Sequence, residues 1–359
     1  MSLQPSFRRG VFLALLTATL CFGWWPFNFV DSNDVSVAPE GGAARFNAEY
    51  ERGSESSRGL LMSKGILDTR GWNELSVLVE LKGRPRGGGL GVFLELIEEE
   101  AKGELPPLLL AQWQEHLALR SRRLGGADGN EYSEIGYKGC FSSGEFFQIA
   151  LSSTPERTGV YIDGELVEMR RDFVLVDPMN AFVGRVVIGN SADGTRPFTG
   201  EIRRVAFFDE ALRSIGGRIA QGVPELSFDF SNLEPGELQS GLEVQGLQSG
   251  ARLSVAKRRF LNPIQTDRWE RHGYRRDIVV NSLGFIPIGL CFAAMGRRRI
   301  KSWIGVLVFV GFCSFALSFA IEWAQGYLVH RDSSQLDVLL NTVSGMLAVL
   351  VPRRLVLFL

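Results

Sequence analysis

The sequence predicts a multi-domain protein, a four-helix transmembrane bundle plus an all-β sandwich. Three observations carry that expectation. Four apolar stretches sit at the two ends of the chain, at residues 11–30, 278–295, 303–321 and 338–351. The segment between the first two, residues 31–262, alternates apolar and polar side chains in short runs separated by Gly, Asp and Asn. The composition, 45% hydrophobic with a net charge of −1, averages those unlike parts, and gives no footing for a nucleic-acid partner.

The elements follow in chain order. Arg8 and Arg9 end a cytoplasmic tail, 1–9, and precede the first span, 10–30. A basic start before an apolar run also fits a cleaved signal peptide, but no small-x-small site follows it, and Trp24, Trp25, Phe27 and Phe29 form an interfacial aromatic belt instead. Residues 31–262 are the outer β domain, and 263–277 the juxtamembrane linker. Spans two and three, 278–295 and 302–322, have the roughly 20 apolar residues that cross about 30 Å of hydrocarbon. The fourth, 335–352, is shorter and stops at Pro352-Arg353-Arg354. Arg8, Arg9, the run Arg297-Arg298-Arg299, Lys301 and the Arg353-Arg354 pair all fall on one side of a four-span arrangement. The positive-inside rule makes that side the cytoplasm and places both termini there, with the β domain periplasmic or extracellular. Arg268, Arg271, Arg275 and Arg276 run against the rule, and weigh less because they follow a long translocated domain.

Within the β domain, Leu75-Ser-Val-Leu-Val-Glu-Leu81 alternates, and further strands are expected near residues 91–96, 108–112, 147–151 and 186–188. Asp163-Gly164 between two apolar runs predicts a two-residue type I′ hairpin turn. Asp163, Asn190 and Asp193 lie near turns and carry the hard oxygens that Ca²⁺ takes, although turn chemistry explains the same residues without an ion. Trp113 reads as core because it sits in an apolar run, and Tyr132 is open as a sugar-stacking aromatic. Of four cysteines, only Cys140 is in this segment, so the domain has no internal disulfide and Cys140 is read as a buried thiol.

The order FFQIALSS, VYIDGELV, VVIGNSADGTRPFTGEIRRVAFFDEAL resembles the second half of a laminin-G-like, concanavalin A-like jelly roll over residues 35–255. The resemblance implies a jelly-roll sandwich that binds carbohydrate or protein. Phe146 and Gln148 stand where that family often has Trp and His. The paired carboxylates of the related glucanases have no counterpart here, so binding is expected rather than hydrolysis.

Polar residues crowd one end of each apolar stretch: Asp277 and Asn281, then Glu322 and Gln325, then Arg331, Asp337 and Asn341. In a four-span arrangement these ends meet on one side of the bilayer, where ionisable groups mark a site. Asp277–Asn281 and Asp337–Asn341 repeat the same spacing, which puts each pair on one helix face and suggests two parallel helix pairs. One reading is structural. Asp277 and Asp337 cap helices, Asn281 and Asn341 bond across the bundle, and Gly284, Gly289 and Gly345 allow close approach. The other is a ligand site, in which Arg331 grips a phosphate while Glu322 and Asp337 meet hydroxyls or an amine.

These motifs, RDIVVNSLGFIPIGL and SFAIEWAQGYLVHRDSSQLDVLLNTVSGMLAVL together with WWPFNF, resemble the VanZ-like family of four-span bacterial membrane proteins, over residues 10–30 and 270–352. The resemblance implies a bacterial inner-membrane protein with the β domain inserted after span one, and names no reaction. The expected partners are envelope polysaccharide and a membrane lipid or lipid-linked glycan. The alternatives are an enzyme using Glu322 or Asp337 on a lipid-linked substrate, and an envelope assembly factor that grips a protein.

Overall fold

Period-two alternation carries the middle of the chain into strands, and continuous apolar runs carry its ends into helices. The computed structural model describes residues 5–24, 33–46, 59–85, 89–98, 106–122, 132–176, 181–215, 218–220, 222–234, 247–248, 260–264, 272–328 and 333–352. Contacts divide the chain into Val30–Lys257, and Met1–Phe29 with Arg258–Leu359.

The first unit holds two eight-stranded antiparallel sheets. One runs β1 (Val35–Val37), β2 (Ala44–Phe46), β14 (Gly200–Phe208), β5 (Leu75–Gly83), β10 (Phe147–Thr154), β11 (Arg157–Ile162) and β12 (Glu165–Arg170), with β17 (Leu226–Asp229) also on β14. The other runs β18 (Leu247–Gln248), β3 (Leu61–Ser63), β13 (Val183–Ile188), β6 (Leu90–Glu98), β7 (Leu109–Trp113), β8 (His116–Arg122) and β9 (Tyr132–Tyr137), with β4 (Leu67–Asp68) on β13. A separate ribbon joins β15 (Arg213–Ile215) and β16 (Arg218–Ala220).

Alternation sorts the side chains of the central strands between two apolar clusters. Val77, Val79 and Leu81 of β5, Ile149 and Leu151 of β10, and Val205 and Phe207 of β14 enter the core shared with Phe93 and Val186 of the second sheet. The residues between them, Leu78, Ala150, Ala206 and Phe208, join Leu212 in a second cluster. Both faces of these strands are therefore covered, which explains why β5 is apolar almost throughout. A chain of phenylalanine rings crosses the core: Phe46 to Phe198 (6.5 Å between centroids), Phe198 to Phe93 (5.7 Å), Phe93 to Phe141 (6.3 Å) and Phe141 to Phe147 (5.0 Å).

The Asp163-Gly164 turn has φ of 48° and 82°, the two positive angles of a type I′ hairpin. Trp113 departs from expectation, since it is 52% exposed rather than core. It is the last residue of β7, next to Gln114 at φ 56°, and its ring meets the edge of the His116 ring at 5.9 Å. Tyr132 is also exposed, with the Arg120 guanidinium 5.3 Å from its ring centroid. On the same sheet Arg122 makes a forked ion pair with Glu98, at 2.8 and 2.9 Å.

Cys140 is free and partly buried, and loss of hydration pushes its thiol up to about 12. The thiolate is the reacting form, so at pH 8 iodoacetamide leaves Cys140 unmodified in the native protein. Mass spectrometry after denaturation then finds it alkylated; alkylation under native conditions contradicts that burial.

The second unit contains α1 (Pro5–Trp24), α2 (His272–Gly284), α3 (Ile286–Arg299), α4 (Trp303–Gln325) and α5 (Gln335–Leu347), extended by a 3-10 turn at Ala348–Leu350. The stretches Ile278–Arg299 and Trp303–Gln325 are long and apolar enough to cross a membrane, whereas Arg9–Trp24 and Gln335–Leu350 are shorter. The expected second span is two helices, α2 and α3, divided at Phe285. Pro287 has no N–H to offer the preceding turn, and the ladder resumes when Gly289 N donates to Phe285 O at 2.9 Å. Phe285, Ile288, Phe292, Val306, Val310 and Ile321 form the core, against which α1 lays Phe12, Leu15, Leu16 and Leu20. A Cβ on Gly289 would stand 2.6 Å from Gly345 O, so α3 and α5 meet backbone to backbone there. Gly284 does not take part, because nothing lies within 4 Å of its Cβ position. Large apolar side chains on the outside of α4, among them Trp303, Val308, Phe312 and Phe315, are exposed.

Candidate functional site

The polar residues of α4 recur at helical spacing. Ser314, Ser318 and Glu322 are four apart, Gln325 follows three later, and all four are buried on one face. Asn341 and Ser344 of α5 are buried as well. The Asn341 amide donates to Ser318 Oγ at 3.0 Å, which fixes this seam between α4 and α5. Asn341 Oδ1 and Ser314 Oγ have no hydrogen-bond partner among the described residues, although both are buried.

At the end of the seam Glu322 is 2% exposed. Its Oε2 accepts from Ser334 N at 2.8 Å. Ser334 is the N-cap of α5 and its own Oγ accepts from Leu336 N at 3.2 Å. The carboxylate thus lies where the free N–H groups and dipole of α5 favour negative charge. Gln325 donates to Gly23 O at 2.7 Å, which ties α4 to the end of α1. Ser333 anchors the segment ahead of α2, with Leu261 N donating to Ser333 Oγ at 3.1 Å and Asn262 N to Ser333 O at 2.8 Å. Gln335 N returns a bond to Asn262 O at 3.1 Å.

The structure therefore brings Glu322, Gln325 and Asn341 onto one seam. Asp337 is half-buried in the first turn of α5, three residues after the cap. It is not the N-cap that the sequence suggested, because Ser334 and Glu322 do that work. The two Asp–Asn repeats also differ in surroundings. Asn341 is buried and bonded, whereas Asn281 is half-buried and its side chain makes no hydrogen bond among the described residues. Asp277 is in α2 with its side chain outside the described residues, and Arg331 lies outside them altogether. Sequence reasoning missed Ser314, Ser318, Ser333 and Ser334. Their signal was the four-residue spacing to Glu322 and the Ser-x-x-Asp pattern of a capping box at Ser334 and Asp337.

The three residues considered for calcium have turn partners. Asp163 Oδ1 accepts from Gln148 N at 2.8 Å. Asn190 Oδ1 accepts from Ser191 N and Arg196 N at 2.9 and 3.1 Å. Asp193 Oδ1 accepts from Ser191 Oγ at 2.6 Å and Thr195 Oγ1 at 2.7 Å. Among the described residues no three His, Cys, Asp or Glu side chains gather closely enough to hold a metal ion.

No curated protein matches the sequence. Among solved structures the chain is similar to a native heptameric SAP-like pentraxin from Limulus polyphemus, at 16% identity and TM-score 0.35, covering 47% of this chain and 76% of that one. It is also similar to the binding domain of botulinum neurotoxin DC in complex with SialylT, at 10% identity and TM-score 0.37, covering 51% and 42%. A botulinum neurotoxin type C structure, described by its interaction with two ganglioside molecules, matches at 11% identity and TM-score 0.36, covering 51% and 43%. The chain spans less than half the length of these two toxin chains. Residues 231–357, which contain α2 to α5, match the VanZ/LLP1 family model, so the C-terminal region of the chain is similar to that family.

Proposed function

We propose that this is a multipass bacterial inner-membrane protein that binds a lipid or lipid-linked glycan at the outer end of its helices and envelope polysaccharide through its sandwich. The observation that carries the reading is Glu322, an ionisable side chain 2% exposed at the end of a 23-residue apolar helix. Ionisable groups at such a depth mark substrate or ligand paths more often than lipid-facing positions. Asp337 and Arg331 complete the recognising set, the guanidinium meeting a phosphate and the carboxylates meeting hydroxyls or an amine. The four helical stretches serve as spans with both termini cytoplasmic. The sandwich, a concanavalin A-like jelly roll over residues 31–262, then lies on the periplasmic or extracellular side, where glycan is found. Exposed Trp113 and Tyr132 supply flat apolar faces of the kind sugar rings stack on.

Native mass spectrometry of the full-length protein, released gently from its own membrane, tests the lipid half of this reading. The wild type is expected to carry a phospholipid or polyprenyl-linked glycan, and a folded Arg331→Ala/Asp337→Asn double variant to lose it. Equal retention by the variant makes the polar cluster structural.

A further inference from the structure

One cleft in the sandwich has a charge that the fold does not require. It measures about 420 Å³ and is lined by Arg45 and Phe46 of β2, Lys82 and Gly83 of β5, Arg84, Pro85, Gly144, Thr199, and Gly200 and Glu201 of β14. Three cations and one carboxylate leave that lining with a net charge of +2 (3 − 1). The single carboxylate is interleaved with the cations, since Glu201 stands opposite Arg45 on one side and Lys82 on the other. Glu201 therefore lies beside both cations in the sheet without neutralising the cleft.

The walls are set by backbone. A Cβ on Gly83 would meet Phe141 Cδ1 at 2.3 Å and Gln112 Oε1 at 2.5 Å, and one on Gly200 would meet Lys82 O at 2.2 Å. Buried Gln112 donates to Arg84 O at 2.6 Å and to Gln114 O at 2.6 Å, which holds the main chain of the exposed Arg84 at the rim. Beside the cleft Lys82 Nζ stands 5.8 Å over the Phe146 ring, whose centroid is 3.6 Å from the Arg203 guanidinium, and Arg203 is paired with Glu80 at 3.2 Å. Arg203 is thus held between Phe146 and Glu80, and Lys82 lies within cation–π reach of the same ring.

The geometry points to a binding site for an acidic polysaccharide, with Lys82 and Arg84 meeting its carboxylates or phosphates. This rests on the glycan-binding reading of the sandwich and gives it a ligand class and an address. The volume falls in the range of small-ligand clefts and suits a short stretch of sugar rings rather than a flat lipid surface. Guanidinium forks take carboxylate and phosphate equally well. A net +2 confined to a recess favours a sparsely charged chain over nucleic acid, which carries a charge at every nucleotide.

Binding of full-length protein in neutral detergent is measured against polygalacturonate, a phosphomannan, neutral dextran and duplex DNA. Polygalacturonate or the phosphomannan is expected to bind, the two arms telling carboxylate from phosphate. Lys82→Gln/Arg84→Gln is expected to weaken that binding at least tenfold at an unchanged thermal midpoint. Arg84→Glu alone, at an exposed position, gives the same direction should the double variant fold poorly. Dextran binding that ignores both variants overturns this site while leaving glycan binding by the sandwich intact. Absence of binding to all three polysaccharides overturns both. DNA bound as tightly as the acidic glycans reduces the cleft to a general basic patch and also overturns the proposal.

Discussion

A Gly189→Ala variant is expected to lose about 2–5 kcal/mol of sandwich stability, a large share of the roughly 5–15 kcal/mol typical of a domain. Two costs add. Gly189 has φ +84°, and a side chain in left-handed backbone costs about 1–2 kcal/mol. Its Cβ would also stand 1.9 Å from Cε1 and 2.1 Å from Cδ1 of Phe46, whose ring is fully buried against Phe198. Forcing volume into so packed a place costs about 1–3 kcal/mol more. Gly71→Ala separates the two terms. Gly71 has nearly the same φ, +83°, but nothing within 4 Å of its Cβ position, so it bears the backbone cost alone. Denaturant midpoints followed by the β signal in circular dichroism should rank wild type above Gly71→Ala and Gly71→Ala above Gly189→Ala. Equal loss in the two variants would mean that the Phe46 ring moves aside freely.

The same contrast shows what the sequence made legible. Alternation in LSVLVEL and the Asp163-Gly164 turn are local signals, and β5 and the β11–β12 hairpin follow them directly. Gly189 is not legible in that way, because the crowding at its Cβ position comes from Phe46, which reaches it across the sandwich from β2 of the other sheet. Trp113 was misread for a related reason. An apolar run fixes that a strand is buried, whereas the strand end is set by the turn at Gln114, which puts Trp113 at the edge. In the helical unit the charged and amide residues of the seam could be picked out by their cost in an apolar run. The serines stand out less, since a hydroxyl costs far less than a carboxylate in an apolar run, and only their spacing marks them. What gives Ser318 its role is Asn341 on the facing helix. The single span was read from the apolar length of residues 278–295, and Pro287 is the local signal for the break between α2 and α3 that such a length does not show. The cleft at Arg45, Lys82 and Arg84 was silent for a third reason, because its residues come from β2, from the end of β5 and from β14, and only the sheet order brings them together.

Replacing Glu322 is expected to have the largest effect in the helical unit, and the choice of substitute decides why. In Glu322→Ala the Ser334 N–H at the start of α5 loses its acceptor and a cavity opens on the seam. A buried donor left unpaired costs about 1–3 kcal/mol, and the lost volume adds to it, so about 3 kcal/mol is expected. Thermal midpoints of the detergent-solubilised protein should fall accordingly. Glu322→Gln keeps the shape and an oxygen that can accept from Ser334, and removes only the charge. If the carboxylate serves α5 alone, the helix dipole loses its anion in this variant and the midpoint still drops, by the few tenths to 1 kcal/mol that such a charge contributes, while any copurifying lipid is retained. If the charge serves a ligand, the lipid is lost from the native mass spectrum of Glu322→Gln, and the midpoint falls further because the bound lipid no longer stabilises the native state. The second pattern is the one the proposed function requires. The first would leave Glu322 as a fastening between α4 and α5, and would move the search for function to the sandwich and its basic cleft.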